Sequence, residues 1–381
     1  MITGYHIHRE SISVAKKYRV GVIGHTGKGG YGHGLDRVCA EVPQLEVVAI
    51  ADPDKSGRAA AVDRTGAKRG YADYRKMLDR EDLDIGIVAT GNVADHRDMA
   101  VACAEHGIHI YIEKPFVQDL QQADDVVTAL EMRHLKLAMA HINRYSPVCM
   151  MCNKLVEQGE IGEVLELRAR GKDDRRGGGQ DLWVLGTHVL DMMRMFAGDV
   201  HWSFGRVQQH GRPVTQSDVY QHDGLGPLVG DTVAAMFSFQ GSNLTGYFAS
   251  RRAMAGSPTR FGLRIYGSKG IIQLQSSFLR PAHILKDSSW SPGRTGSQWI
   301  PISSAGIGKP EPRTDIKSYG NKEALLDLID AIENDRQPIG SVYDARASVE
   351  MIASVFESHR LGRPVSFPLE NRKNPLTMLE G

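Results

Sequence analysis

Residues 108–115 read Ile108-His109-Ile110-Tyr111-Ile112-Glu113-Lys114-Pro115, and this stretch decides the fold. Apolar residues alternate with His109 and Tyr111, the period of a short strand. The strand ends in a carboxylate, an ammonium and a proline. Pro115 has no N–H with which to continue a central ladder, so the strand stops there. In open α/β sheets, ligands bind beyond the carboxyl ends of the strands. A lysine delivered to that place can donate to a substrate hydroxyl or stabilise an alkoxide. Taken alone, Lys114 reads equally well as a strand-end lysine in solvent, and its neighbours have to decide.

Upstream, Val20-Gly21-Val22-Ile23 is a buried-type strand followed at once by Gly24 to Gly34, six glycines in eleven residues. That suits a backbone brought close to a phosphate at a helix N-terminus. The best register, Gly24-x-x-Gly27-x-x-Gly30, is one residue longer than the usual G-x-G-x-x-G. The next strand, Leu45 to Ala51, ends in Asp52, 22 residues after Gly30, where dinucleotide folds place the carboxylate that holds the ribose. Its charge repels a 2′-phosphate, which favours NAD over NADP, although Lys55 and Arg58 follow closely. A further strand, Asp84 to Thr90, runs into the turn Thr90-Gly91-Asn92 beside the expected crevice. The cofactor residues expected on this pattern are Gly24, Thr26, Gly27, Gly30, Tyr31, Asp52, Thr90, Asn92, His96, Glu113 and Lys114. Helices near 98–106 and 120–133 and a strand at 137–140 complete alternating βα units, hence a parallel, doubly wound sheet.

The chain of 381 residues is long for one hydrophobic core, so a dinucleotide domain over 18–145 leaves a second domain over 146–381. Residues 1–17 lack an apolar core segment and read as a loose arm, not a secretory signal. Hydrophobic content of 41%, charged content of 24% and a net charge of +1 argue against nucleic acid or a membrane surface as partner. Four cysteines do not make a disulfide framework and suggest a reducing cytoplasm. Cys149-x-x-Cys152 has no second pair to complete a zinc site; it falls on an amphipathic helix and reads as two half-buried thiols, so no metal is expected.

In the second half, Val164 to Arg170 is strand-like and leads into a charged, glycine-rich loop from Gly171 to Asp181. Asp181 reads as the N-cap of a helix from Leu182 to Phe196. On that helix His188 and Asp191 share a face, and a histidine has the ordinary pKa for taking a proton from a hydroxyl. Segments 232–240, 246–250, 262–266 and 271–274 read as antiparallel strands. Residues 286–318, rich in Ser, Gly and Pro, read as a surface excursion, and the last helices, near 322–334 and 345–361, as core elements packing back on the first domain.

Gly24 to Gly34, Ala51-Asp52-Pro53, Tyr71-Ala72-Asp73-Tyr74 and above all Glu113-Lys114-Pro115 resemble the Gfo/Idh/MocA oxidoreductases, which include glucose–fructose oxidoreductase and inositol dehydrogenase. The likeness continues through Asn143-Arg144-Tyr145-Ser146-Pro147, Gly159-Glu160-Ile161-Gly162 and Ser341 to Arg346. It implies an N-terminal Rossmann domain, a C-terminal α+β domain with a large, mostly antiparallel sheet, and a homodimer or homotetramer joined through that sheet. It implies a catalytic histidine at His188, in the pattern Gly186-x-His188-x-x-Asp191, beside Lys114. Many members carry an aspartate four residues before that histidine; here the position is Val184. Asp181, Asp191 or Tyr145 is left to assist His188, and the sequence does not choose among them. Substrate contacts are expected from Lys114, Arg144, Lys172, Arg175, Arg176 and His188. The implied activity is NAD-dependent oxidation of a ring hydroxyl of a sugar or sugar derivative, with an anionic sugar suggested by the Lys172, Arg175 and Arg176 cluster. The alternatives are a glycoside-cleaving enzyme that retains NAD through transient oxidation, elimination, addition and reduction, and a non-catalytic NAD-binding sensor.

Overall fold

Six strands form a parallel sheet: β1 (Tyr18–Ile23), β2 (Leu45–Ala51), β3 (Arg69–Tyr71), β4 (Ile85–Val88), β5 (His109–Ile112) and β6 (Leu137–Met139), in the order β3-β2-β1-β4-β5-β6. The computed structural model describes residues 16–276, 279, 282–313 and 320–380, so the expected arm over 1–17 lies almost wholly outside the described residues. The connecting helices are α1 (Lys55–Thr65), α2 (Tyr74–Arg80), α3 (Val93–Glu105) and α4 (Leu120–Glu131). β4 is buried at all four positions and β1 at five of six, the continuous apolar run of a sheet covered on both faces. On one face Met99 and Cys103 of α3 and Val126 of α4 join a core with Val88 and Ile112.

The other face corrects an expectation. No α-helix follows the glycine loop; turns lead to a short 3₁₀ helix, Val38–Glu41. Five of the loop's glycines, from Gly27 at φ 86° to Gly34 at φ 77°, sit in the left-handed region, which a right-handed helix cannot use. A late helix, described below, supplies the missing cover.

The second half opens with α5 (Pro147–Glu157), capped by Ser146, whose side chain accepts from Cys149 N. Its sheet has eleven strands: β7 (Val164–Arg170), β8 (Val200–Gln209), β9 (Arg212–Pro213), β12 (Thr232–Phe239), β13 (Thr245–Arg251), β14 (Gly262–Gly267), β15 (Gly270–Gln275), β16 (Ala282–Leu285), β17 (Trp299–Ser303), β18 (Gly306–Ile307) and β19 (Val365–Ser366). A separate hairpin, β10 (Tyr220–His222) and β11 (Gly226–Leu228), stands apart from it. Pairing in the large sheet is antiparallel except where β13 runs parallel to β7. The segment expected as a surface excursion instead carries α8 (Pro292–Thr295) and extends the sheet edge with β17 and β18. Trp299-Ile300-Pro301-Ile302 alternates, and Ile302 is fully buried, which is why it pairs.

Between β7 and β8 lie α6 (Gly179–Asp181), a π-turn over Leu182–Gly186, and α7 (Thr187–Ala197). Asp181 is therefore not an N-cap. It sits inside the helical run at φ −63°, ψ −40°, and its carboxylate faces inward. Between β18 and β19 lie α9 (Asn321–Glu333) and α10 (Val342–Leu361), the latter opened by a capping box between Ser341 and Asp344. α9 packs on β6 and on the 3₁₀ helix, and its Leu325 and Leu328 share a core with Val20, Ile50, Ile87 and Tyr111. It stands where the helix after the glycines was expected. α10 lies against α4, α7 and β8.

Candidate active site

The exit of β5 and the first turn of α7 bring Lys114 and His188 to one cavity. It measures about 100 Å³ and is lined by His33, Glu113, Lys114, Ala140, Ile142, His188 and Asn321. Lys114 and His188 are both buried. The Lys114 ammonium donates to the carbonyl of Val184 at 3.4 Å. Burial pushes the Lys114 pKa down, and Arg176 and Lys172 add to this against the pull of Glu113. Burial also holds His188 well below the ordinary imidazole value, reinforced by Lys114 and His141, so its ring is uncharged at neutral pH. His188 Nδ1 and Glu113 Oε2 are buried without a hydrogen-bond partner. Buried polar atoms are rarely left so, and both belong to residues that line this cavity.

Glu113 is held from two sides. Burial works to raise its pKa, but His33 Nδ1, 2.6 Å from Oε1, and Lys114 outweigh it and keep the carboxyl ionised. His33 comes from the glycine-rich loop and was not assigned a role from sequence; neither was His141. His141 Nε2 lies 2.9 Å from Thr187 Oγ1, and its ring stands edge-on to His188 with centroids 5.9 Å apart.

The three candidates for assisting His188 are all otherwise engaged. Tyr145 donates to Asp327 Oδ2 and accepts from Gly340 N, which ties it to the α9 side. Asp181 Oδ2 accepts from Ser250 Oγ at 2.5 Å and from Asp173 N, pinning the loop beneath β13. Asp191 accepts from Arg144 Nε with both oxygens, at 2.8 and 2.9 Å, and lies 3.5 Å from His141 Nδ1. His188 instead stands edge-on to His141, itself set against Asp191. Arg144, expected at the substrate, is engaged by this buried pairing, by Asp344 and by the Ile339 carbonyl.

The cofactor residues divide in the same way. Asp52, at the end of β2, is fully buried and accepts from Thr26 N, Thr26 Oγ1 and Asp54 N. A cavity of about 280 Å³ opens beside it, lined by Gly24, His25, Asp52, Ala72, Tyr74 and Asp95 among others. Tyr31 packs its ring on Gly24, where a Cβ would lie 2.3 Å from it. Gly29 touches the Gly91 backbone so closely that a Cβ would meet it at 2.6 Å, so the glycine loop and the β4 turn close on each other. Thr90 Oγ1 donates to the Lys28 carbonyl and Asn92 Nδ2 to Asp95, both shaping that turn. His96 offers nothing to a ligand: its ring nitrogens lie 2.7 Å from the Thr90 carbonyl and 2.9 Å from that of Phe116. It ties the β4 exit to the β5 exit. The cavity beside Asp52 and the glycine cradle together fit an extended dinucleotide laid across the strand ends.

Lys172 and Arg176 both reach Asp174, at 3.8 and 2.6 Å, while Arg175 is exposed. Asp173 turns away to Arg170 and Arg251 N, so one carboxylate serves two cations. The hairpin β10–β11 closes the mouth between the two sheets: Gln180 Nε2 meets His222 Nε2 at 3.2 Å, and Gln118 Nε2 donates to the Gly224 carbonyl at 3.4 Å. Nothing in the sequence marked that hairpin.

Residues 18–141 match the oxidoreductase family with an NAD-binding Rossmann fold, and residues 150–273 match the GFO/IDH/MocA C-terminal domain. The chain is 27% identical over 256 residues to levoglucosan dehydrogenase of Pseudarthrobacter phenanthrenivorans, covering 61% of this chain and 65% of that protein's length. It is 23% identical to scyllo-inositol 2-dehydrogenase (NAD(+)) of Bacillus subtilis over 92% of this chain and 97% of the relative. D-apiose dehydrogenase of Paraburkholderia graminis matches 171 residues at 31%, or 42% and 45% of the two chains. Among solved structures, levoglucosan dehydrogenase in complex with NADH superposes with a TM-score of 0.75 at 21% identity, covering 93% of this chain and all of the other. An oxidoreductase from Agrobacterium radiobacter, solved with NAD+, L-tartaric acid and magnesium, gives 0.70 at 19% identity over 92% and 98%. The chain belongs to the GFO/IDH/MocA oxidoreductase family and carries its NAD-binding Rossmann fold.

Proposed function

We propose that this protein is an NAD-dependent dehydrogenase that oxidises a ring hydroxyl of a sugar or sugar derivative. The observation that carries the reading is the meeting of Lys114 and His188, from opposite halves of the chain, in one small buried cavity. Bound NAD supplies the hydride acceptor. Lys114 holds the reacting oxygen by donation from Nζ and favours its developing negative charge. His188, kept uncharged by burial, takes the hydroxyl proton on its imidazole. Burial keeps bulk water from both side chains. Relatives named as levoglucosan, inositol and apiose dehydrogenases support a sugar as substrate.

Within this reading residues 18–145 hold the cofactor and 146–381 the substrate. The sugar is anionic: Lys172 and Arg176 are near enough to depress the Lys114 pKa and share the single carboxylate of Asp174. The outer face of the large sheet, with Phe204, Tyr247, Arg168 and Arg264 exposed, joins copies of the chain into a dimer or tetramer. Four free, buried cysteines suit a reducing compartment.

A second reading rests on Val184. Without a carboxylate there, the same site suits transient oxidation that is reversed within one turnover, cleaving a glycoside with no net redox change. A relative named 2,7-anhydro-N-acetylneuraminate hydratase, 29% identical over 143 residues and 36% of each chain, keeps this reading in view. The deciding experiment incubates the protein with NAD and a panel of neutral and anionic sugars and glycosides, following NADH absorbance and released aglycone together. NADH formation supports the dehydrogenase; aglycone release without NADH replaces it with the second reading; NAD binding with neither leaves a sensor. Arg176→Ala raises KM for an anionic sugar far more than for its neutral counterpart, and equal losses on both remove the anionic preference.

A further inference from the structure

Oxidation of a hydroxyl breaks a C–H bond, whose electron pair leaves as hydride to the oxidised nicotinamide, and an O–H bond, whose proton goes to His188. The C–O single bond becomes C=O, and one proton per turnover remains to be disposed of. Both groups that meet it, Lys114 and His188, are buried. Burial makes either a poor resting place for an added positive charge. The way through His141 is closed, because it leads to Thr187 and to Asp191, whose carboxylate is locked on Arg144. Another way is open. Glu113 lines the same cavity, its Oε2 is buried with no partner, and its Oε1 lies 2.6 Å from His33 Nδ1. The side chain of Glu113 is 3% exposed and that of His33 is 58% exposed, so the pair spans from the cavity to solvent in two steps.

We propose that Glu113 and His33 form the exit through which the proton taken from the substrate hydroxyl reaches water. At rest His33 donates its Nδ1 hydrogen to the Glu113 carboxylate. Glu113 receives the substrate proton on Oε2, a half-turn of the carboxyl group presents that proton to His33, and exchange with water moves the imidazole hydrogen from Nδ1 to Nε2. His33 then takes the carboxyl proton at Nδ1 and releases the one on Nε2 to solvent, so one proton enters, one leaves, and both residues return to their resting state. His33 is thereby a relay residue on the cofactor loop: it touches neither substrate nor the reacting carbon but sets how fast the base is reset. The charged and titratable groups facing the pair are Lys114 beside Glu113, and His188 across the cavity, whose pKa His33 and Lys114 help to lower.

The inference rests on the dehydrogenase reading, and its test keeps the two apart. In the full chain, His33→Asn retains the size of the side chain but cannot relay. It binds NAD within about threefold of the unmodified protein by calorimetry, loses at least tenfold in kcat in dilute buffer, and recovers when free imidazole is added. The unmodified protein is indifferent to imidazole. The second readout needs no turnover: the Glu113 carboxyl carbon, followed by 13C NMR in the protein without cofactor, titrates at higher pH in His33→Asn, because the imidazole that favours the carboxylate has gone. A Glu113 titration unmoved by the substitution, or a kcat loss that imidazole does not restore, overturns the relay and leaves sugar oxidation standing. If the unmodified protein oxidises no sugar, the dehydrogenase reading fails instead, and the NMR titration alone decides whether the pair is coupled.

Discussion

The ammonium of Lys114 donates to the main-chain carbonyl of Val184, not to a side-chain carboxylate. That carbonyl belongs to the π-turn over Leu182–Gly186, a widened turn of the kind often found at functional sites. At this position many members of the family place an aspartate. A carbonyl steers the lysine without neutralising it, so Lys114 keeps a depressed pKa with only Glu113 opposing the shift. Val184→Asp adds the missing charge. The alkaline limb of the pH–rate profile then moves upward, and net NADH formation rises; an unmoved limb means that residue 184 does not reach Lys114.

Lys114→Met and His188→Asn separate binding from chemistry. Both retain NAD binding by calorimetry, and each loses roughly 10²–10⁴-fold in turnover, the scale of a positioned acid or base. Near-normal turnover in either variant makes that residue structural.

His188 also makes stability depend on pH. Its folded pKa is depressed by burial, so the folded state refuses a proton that the unfolded chain takes up below about pH 6.5. The contribution is complete above that pH and is lost as pH falls from there toward the folded pKa, at up to about 1.4 kcal/mol per pH unit. Urea midpoints between about pH 7.5 and 5 show a steeper fall for the unmodified protein than for His188→Asn. Over the same range kcat/KM holds steady below about pH 6.5, because the base stays uncharged there. Parallel urea curves for the two proteins would contradict the buried, neutral imidazole.

Asp191→Asn tests the buried pairing behind the site. Arg144 and His141 hold the Asp191 carboxyl well below the usual range against the opposing effect of burial. Replacing it leaves the buried Arg144 guanidinium with Asp344 as its remaining charge partner, and breaking the buried pair costs up to about 3–5 kcal/mol. The unfolding midpoint in urea falls accordingly. Arg144→Met together with Asp191→Leu loses far less than Asp191→Asn if the pair serves register and not stability.

The parallel sheet was legible because continuous apolar strands, glycines and Asp52 recur at spacings that only βα units satisfy. Lys114 and His188 were legible from a strand that had to stop and from a resemblance. What escaped is which atoms are already taken. His96, Arg144 and Tyr145 stand inside recognisable motifs, yet each is engaged elsewhere, His96 by the carbonyls of Thr90 and Phe116 and the other two by partners 195 residues away, and no local pattern records that. The π-turn escaped because Leu182, Trp183 and Val184 are equally at home in an α-helix. β17 and β18 escaped because Ser, Gly and Pro around a short alternation obscure it. His33 was visible but unassigned, since its partner Glu113 lies 80 residues further on.

The hydroxyl of Tyr111 on β5 donates to Asn321 Oδ1 at 2.7 Å, a residue 210 positions later at the start of α9. The helix that covers one layer of the first sheet is thus made long after the strands it covers. At about 5–20 residues per second, the ribosome delivers it on the order of tens of seconds after β5 has emerged. Through that interval Val20, Ile50, Ile87 and Tyr111 have no lid. The nascent N-terminal half is therefore a client for chaperones that bind apolar surface, and a chain truncated before residue 321 aggregates where the full-length chain folds.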